Sequence, residues 1–266
     1  MMRTAFLLIS VAVLLAVQSA QAASPEKHRL VVLTDMGADP DDQQSLVRLL
    51  LYANQIDIEG LIATTSVWQK TRVRTGLITE IVDAYGSVRS NLVQHEPGFP
   101  EARELLDVVK SGLAVYGMQG VGDGKDSEGS DWILAMLERD DPRPLWVSVW
   151  GGVNTLAQTL YNIESTRSPE EVRRLIDKLR VYTISDQDDS GAWIRKAFPS
   201  LFYIVSPGDD YGSEKWIAIN SVADGIYNES ISNRWLATHI QQGHGALGAS
   251  YPDVAWGMEG DTPSYL

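Results

Sequence analysis

The run "LVVLTDMGADPDDQQSL", residues 30–46, decides the fold. Leu30, Val31, Val32 and Leu33 are apolar at every position, so both faces are buried and the segment reads as an interior strand of a parallel sheet. Over residues 45–52 the apolar Leu46, Leu49 and Leu50 return at three- and four-residue spacing, the pattern of a helix packed by one face. Between them stand Asp35, Asp39, Asp41 and Asp42, four carboxylates in eight positions. A strand that passes through an acidic turn into a helix is the opening of a β-α-β unit.

The same alternation continues along the chain. Strands are expected at 61–65, 145–150, 179–184 and 201–205, and helices at 74–85, 102–109, 131–137, 155–161 and 170–177. The expected fold class is α/β, a mostly parallel sheet flanked by helices on both faces. Ligands of such sheets bind outside the carboxyl ends of the strands. The loops there are 35–42, "GGVNTL" (151–156), "SDQDDSG" (185–191) and "SPGDDYG" (206–212), and three of these four carry clustered carboxylates.

Residues 1–22 stand apart, with a single cation at Arg3, an apolar run from Ala5 to Val17 and the small-residue pattern Ala20-Gln21-Ala22. They read as a secretory signal peptide, implying a periplasmic or secreted protein. The run is too short for a membrane span, and no later stretch approaches the roughly 18 apolar residues that one needs. Residues 23–266 read as one domain, because no linker-like tract interrupts them. There is no cysteine, so disulfides contribute nothing to stability. The formal charge of −13 becomes one unit more negative without Arg3, which argues against a nucleic-acid polymer as partner and leaves a single nucleoside open.

Helix capping accounts for part of the acidic loop: Asp39 as cap, Pro40 at the first helical position, and Asp41 and Asp42 favoured by the helix dipole. Asp35 falls outside that account, and several carboxylates within a few ångströms cannot all ionise cheaply. Either one is protonated or a cation sits among them. A hard divalent ion is the simpler answer, since Ca²⁺ takes about six to eight oxygens in irregular geometry. An EF-hand is excluded, because counting from Asp35 or Asp39 puts no Gly at the sixth place and no Glu at the twelfth. A phospho-aspartate loop is the weaker alternative.

Thr34-Asp35-Met36-Gly37 followed by Asp41-Asp42 and an apolar helix resembles the N-terminal signature of the nucleoside hydrolases. The likeness is closer still to a nucleoside-hydrolase-like family of exported bacterial proteins, some described as cellulose-binding, in which the DPDDQQSL run (39–46) and EGDTPS (259–264) recur. The resemblance implies a Rossmann-like architecture and a calcium site. Asp35 would ligate Ca²⁺ and take a proton from the attacking water, and Asp42 would be the bidentate ligand. Asn154 would offer its backbone carbonyl, with helix capping as its other reading, and Asp261 would be the last carboxylate. Four departures stand out. The loop is two residues longer, so either Asp39 or Asp41 accompanies Asp42; Gly260 stands where a histidine often helps the leaving group; loop 185–191 lacks the ribose-gripping Asn/Glu pattern; and the chain ends five residues after Asp261, so the domain is expected to be C-terminally incomplete.

From the resemblance follows an expected chemistry: water activated by Asp35 attacks an anomeric carbon through an oxocarbenium-like state. Asp41, Asp186 and Asp188 are candidate substrate-binding groups, and Asp186, Asp188, His239 and His244 are the candidate proton donors. Of the eight tryptophans, Trp68, Trp150, Trp193 and Trp256 fall near the candidate loops, whereas Trp146 reads as core. For Trp150, Trp193 and Trp256 the expectation is that at least one stacks on a sugar or base. Two functions are thus expected in competition: a Ca²⁺-dependent hydrolase of N- or O-glycosidic bonds, and a carbohydrate-binding protein on the same fold without turnover. Expected ligands are a nucleoside or glycoside, with oligo- and polysaccharides included. Leaving group and oligomeric state stay open.

Overall fold

The structure, a computed structural model, describes residues 26–206 and 228–266; the stretch expected to be a leader, 1–22, and nearly all of the acidic stretch 206–212 lie outside the described residues. Among those described, β1 (His28–Thr34), β2 (Ile56–Ala63), β3 (Val109–Ser111), β4 (Leu145–Val149), β5 (Leu179–Thr183) and β6 (Phe202–Val205) form one parallel sheet in the order β3-β2-β1-β4-β5-β6. That is the doubly wound order, with its switch point between β1 and β4. No described helix is long and apolar enough to cross a membrane.

Side-chain alternation assigns the two faces. Val31, Leu33, Val147, Val149 and Val181 pack beneath α4 (Glu128–Glu138), α5 (Asn154–Thr166), α6 (Pro169–Lys178) and α7 (Ser190–Ala197). Leu30, Val32, Leu61 and Trp150 pack beneath α1 (Asp41–Leu50), α2 (Thr75–His95) and α3 (Ala102–Leu106), joined by Leu236 of α8 (Asn233–Leu236) and Leu247 of α9 (Gly245–Ala249). Helix starts follow local chemistry. Ser127 caps α4, accepting the Ser130 N–H, and Ser168 caps α6 in a reciprocal pair with Glu171 ahead of Pro169.

Four elements differ from expectation. The helix expected at 102–109 stops at Leu106, because the Leu61 N–H donates to the Val108 carbonyl and Val109 pairs with Leu61 to start β3. Helix α2 runs on to His95; its fully buried residues end at Tyr85, and beyond it Val88 and Leu92 are only partly buried against the core. Helix α7 was not expected, since Ile194 is its one large buried side chain. Strand β2 starts at Ile56 rather than 61, hidden in the sequence by Asp57 and Glu59. Glu59 accepts two hydrogen bonds, at 2.9 and 2.8 Å, from the fully buried Arg29, which also reaches the Met136 carbonyl at 2.7 Å. A buried charge is tolerable when paired and fully bonded in this way.

Candidate carboxylate site

At the end of β1 the chain reverses over Gly37, whose φ of +85° is the left-handed region that favours glycine. The Ala38 N–H closes the turn on the Asp35 carbonyl at 3.0 Å, and the Asp41 N–H donates to the Asp39 carboxylate at 3.2 Å before α1 begins. The Thr34 hydroxyl donates to Asp42. These bonds gather one oxygen each of Asp39, Asp41 and Asp42 within 4.8 Å of one another. Asp35 lies across from them against Gly151 at the end of β4, where a Cβ would come within 2.7 Å of its Oδ1. The two strands meet there because the Trp150 N–H donates to the Leu33 carbonyl at 2.8 Å.

Asp261 arrives from the other end of the chain. Its N–H donates to the Ser45 hydroxyl at 3.3 Å, the Tyr265 hydroxyl donates to the Ser45 carbonyl at 2.7 Å, and Gln44 accepts the Glu259 N–H at 2.9 Å. Glu259 fixes this loop to α1: Arg48 grips both of its oxygens, at 2.7 and 2.8 Å, and Tyr251 donates to it at 2.9 Å. Glu259 is also a non-glycine residue with positive φ, +49°, a conformation that persists only where its surroundings hold it. The Asp261 side chain does not cap the short 3₁₀ turn Thr262–Ser264 that follows. Its Oδ2 is buried and, among the described residues, has no hydrogen-bond partner.

Electrostatics follow from this crowding. Burial first, then the charges of Asp41, Asp42, Asp35 and Asp39, push the Asp261 carboxyl well above the ordinary aspartate range. Asp42 rises for the same reasons, and Asp41 is pushed up to about 9. Asp35 rises to about 7 through burial and the nearby Asp39, with a Ser66 hydrogen bond pulling the other way. An all-oxygen donor set with an orphaned buried oxygen, in which each acid resists ionising beside the rest, fits a hard divalent cation. Asp35, Asp39, Asp41, Asp42 and Asp261 are the residues that would hold it.

The remaining candidates fall into place differently. The Asn154 side chain accepts from Thr64 at 2.8 Å and donates to the Val115 carbonyl at 2.8 Å, so it does not cap α5; the group expected to meet an ion is its backbone carbonyl, which these bonds do not involve. The cap is Asp188, which accepts the Asn154 N–H at 3.1 Å and the Ser190 N–H at 2.9 Å; burial raises it to about 6. Asp186 is held by Arg195 at 2.7 and 2.9 Å. His239 is exposed against Trp235 and His244 is exposed ahead of α9; among the described residues neither has a hydrogen bond to the acids. Trp150 is corrected outright: it is 1% exposed, bonded to Ser148 and packed on Tyr265, with no ring face to offer a sugar. Trp193 is half-buried edge-on to Phe198, and Trp256 is exposed. Sequence reasoning missed Arg48, Glu259, Ser66 and Gln69. Only Glu259 carried a signal, as the first residue of EGDTPS.

A model of the family described as cellulose-binding Sde182, nucleoside hydrolase-like domain, matches residues 29–266. A solved structure of a nucleoside hydrolase-related hypothetical protein from Saccharophagus degradans, associated with carbohydrate metabolism, is similar at 43% identity and a TM-score of 0.80. The similarity covers 91% of this chain and 54% of that one, so the chain spans about half the length of that protein. Comparison with curated proteins finds no match.

Proposed function

The chain belongs to the Sde182 nucleoside hydrolase-like family, and from that premise we propose that it is an exported, calcium-dependent hydrolase of glycosyl bonds acting on a glycoside or nucleoside. The observation that carries the reading is the meeting of Asp261, with its unpartnered Oδ2, and the four acids of the β1–α1 loop. Bound calcium would supply Lewis acidity to a water and oxygen coordination to vicinal sugar hydroxyls. Asp35, set against Gly151, accepts the proton as the water oxygen bonds to the anomeric carbon and the glycosidic bond breaks. The remaining carboxylates stabilise the oxocarbenium-like charge. Asp186 and Asp188 are engaged by Arg195 and by the starts of α5 and α7, so proton donation to the leaving group falls to solvent or the leaving group must depart as a stable anion.

That same engagement favours the second reading, a carbohydrate-binding protein that keeps the ion and has no turnover. A calorimetric Ca²⁺ titration of residues 23–266, run beside Asp35→Asn and followed by a screen of nucleosides and glycosides, separates the two. A hydrolase shows stoichiometric binding and a turnover that the substitution lowers by a factor of about 10²–10⁴. Calcium and sugar binding with no turnover on any substrate gives the second reading. Absence of calcium binding at millimolar concentration removes both the ion and the mechanism.

A further inference from the structure

We infer that the loop following β2 is a subsite for an anionic substituent, so that the preferred ligand is an acidic saccharide carrying carboxylate or sulfate groups. The inference rests on the carbohydrate reading above and names the sugar class. Residues 64–74 read "TTSVWQKTRVR", with Lys70, Arg72 and Arg74 inside five positions and no carboxylate between Glu59 and Glu80, in a chain whose formal charge is −13. The loop is built into the site. Gln69 donates to the carbonyls of Asp35 at 3.1 Å and Met36 at 3.3 Å, Arg72 donates to Gln69 at 3.0 Å, and the Arg74 side chain lies over Gly37. On the far side the Val67 N–H donates to the Gln187 carbonyl at 2.8 Å, and the Lys70 ammonium sits 4.8 Å from the Tyr116 ring centre.

Lys70 and Arg72 are exposed, and among the described residues neither they nor Arg74 form an ion pair. What shifts the site acids is burial and one another. Lys70 and Arg72 stand two residues apart on the loop, and an ammonium and a forked guanidinium each match the oxygens of a carboxylate or sulfate. Trp68, on the same loop, is 62% exposed, and an indole can report a ligand bound nearby. The overall acidity of the chain acts at long range and is screened beyond about 8 Å at physiological salt, whereas these contacts act at touching distance.

The test uses the full mature chain in calcium and measures binding of three defined probes: an oligohexuronate, a sulfated galactan oligomer and a neutral cello-oligosaccharide. At low salt one of the acidic probes binds about tenfold or more tightly than the neutral one, the equivalent of about 1.4 kcal/mol, and added NaCl erodes the difference. The carboxylated and sulfated arms identify which anion is read. Lys70→Ala/Arg72→Ala abolishes the preference, while Lys196→Ala/Arg234→Ala, an equal change of charge elsewhere, keeps it. Binding quenches or shifts tryptophan fluorescence, and Trp68→Ala removes that signal. Equal affinity for neutral and acidic probes, or a preference that survives Lys70→Ala/Arg72→Ala, overturns the inference while calcium and neutral-sugar binding leave the carbohydrate reading standing. No binding of any sugar overturns both.

Discussion

Asp35 and Asp41 hold their protons far beyond the ordinary aspartate value of 3.8, to about 7 and about 9, because burial and neighbouring acids oppose ionisation. The unfolded chain releases those protons near pH 4, so the metal-free fold binds more protons than its unfolded state from there upward. Its stability is then greatest at low pH and falls as pH rises through the folded values. Thermal melts of chelator-treated protein should show a midpoint that declines between about pH 4 and pH 9. Calcium should restore it by more at pH 8 than at pH 5; a midpoint that rises with pH in chelator would refute the account. The Asp261 carboxylate carries a sharper expectation. Asp261→Asn keeps the shape and removes one charge, so the metal-free protein should melt higher while its calcium affinity drops, two changes of opposite sign that one pair of titrations reads.

At the scale of elements, the segment Glu259–Tyr265 is tied to α1 by the Arg48–Glu259 pair, whose carboxylate is 4% exposed and whose guanidinium is 39% exposed. Arg48→Ala strands a buried carboxylate and should cost about 2 kcal/mol in urea unfolding. Glu259→Ala leaves a cation that can turn to water and should cost less. Both should weaken calcium binding, because both release the strand of chain that carries Asp261. Ser168→Ala, which removes the cap of α6 on the opposite face, should cost about 1 kcal/mol and leave calcium affinity unchanged. Elements were legible where burial was continuous. β1 and β4 are buried along almost their whole length and announced themselves, and β5 showed through its buried Leu179, Val181 and Thr183, whereas β3 is three residues long and half-buried and leaves no periodic trace. The acids of the β1–α1 loop were legible as a local excess of charge. Asp261 was legible only by resemblance, since nothing in its neighbourhood says which distant loop it meets, and the engagement of Asp186 and Asp188 depends on Arg195 and on helix starts that no local pattern specifies.

For the whole molecule, calcium that binds the folded chain and not the unfolded one adds stability by mass action, about 2.7 kcal/mol at a hundred times its dissociation constant. The melting midpoint should therefore climb with the logarithm of calcium concentration, and magnesium, which demands tighter octahedral geometry, should give a smaller rise. A midpoint indifferent to both ions would leave the acid cluster without a cation. Ser45 and Asp261, bonded in the folded protein, are 216 residues apart in the sequence. The proposed ligand set is thus divided between segments made far apart in time during synthesis. A nascent chain that has made only the β1–α1 loop holds four acids that repel one another and no means of closing a cage around an ion. On the calcium reading, capture of the ion waits until both segments have been made and folded together, and a chain that has taken it up has, by that fact, joined residues 35–42 to residue 261.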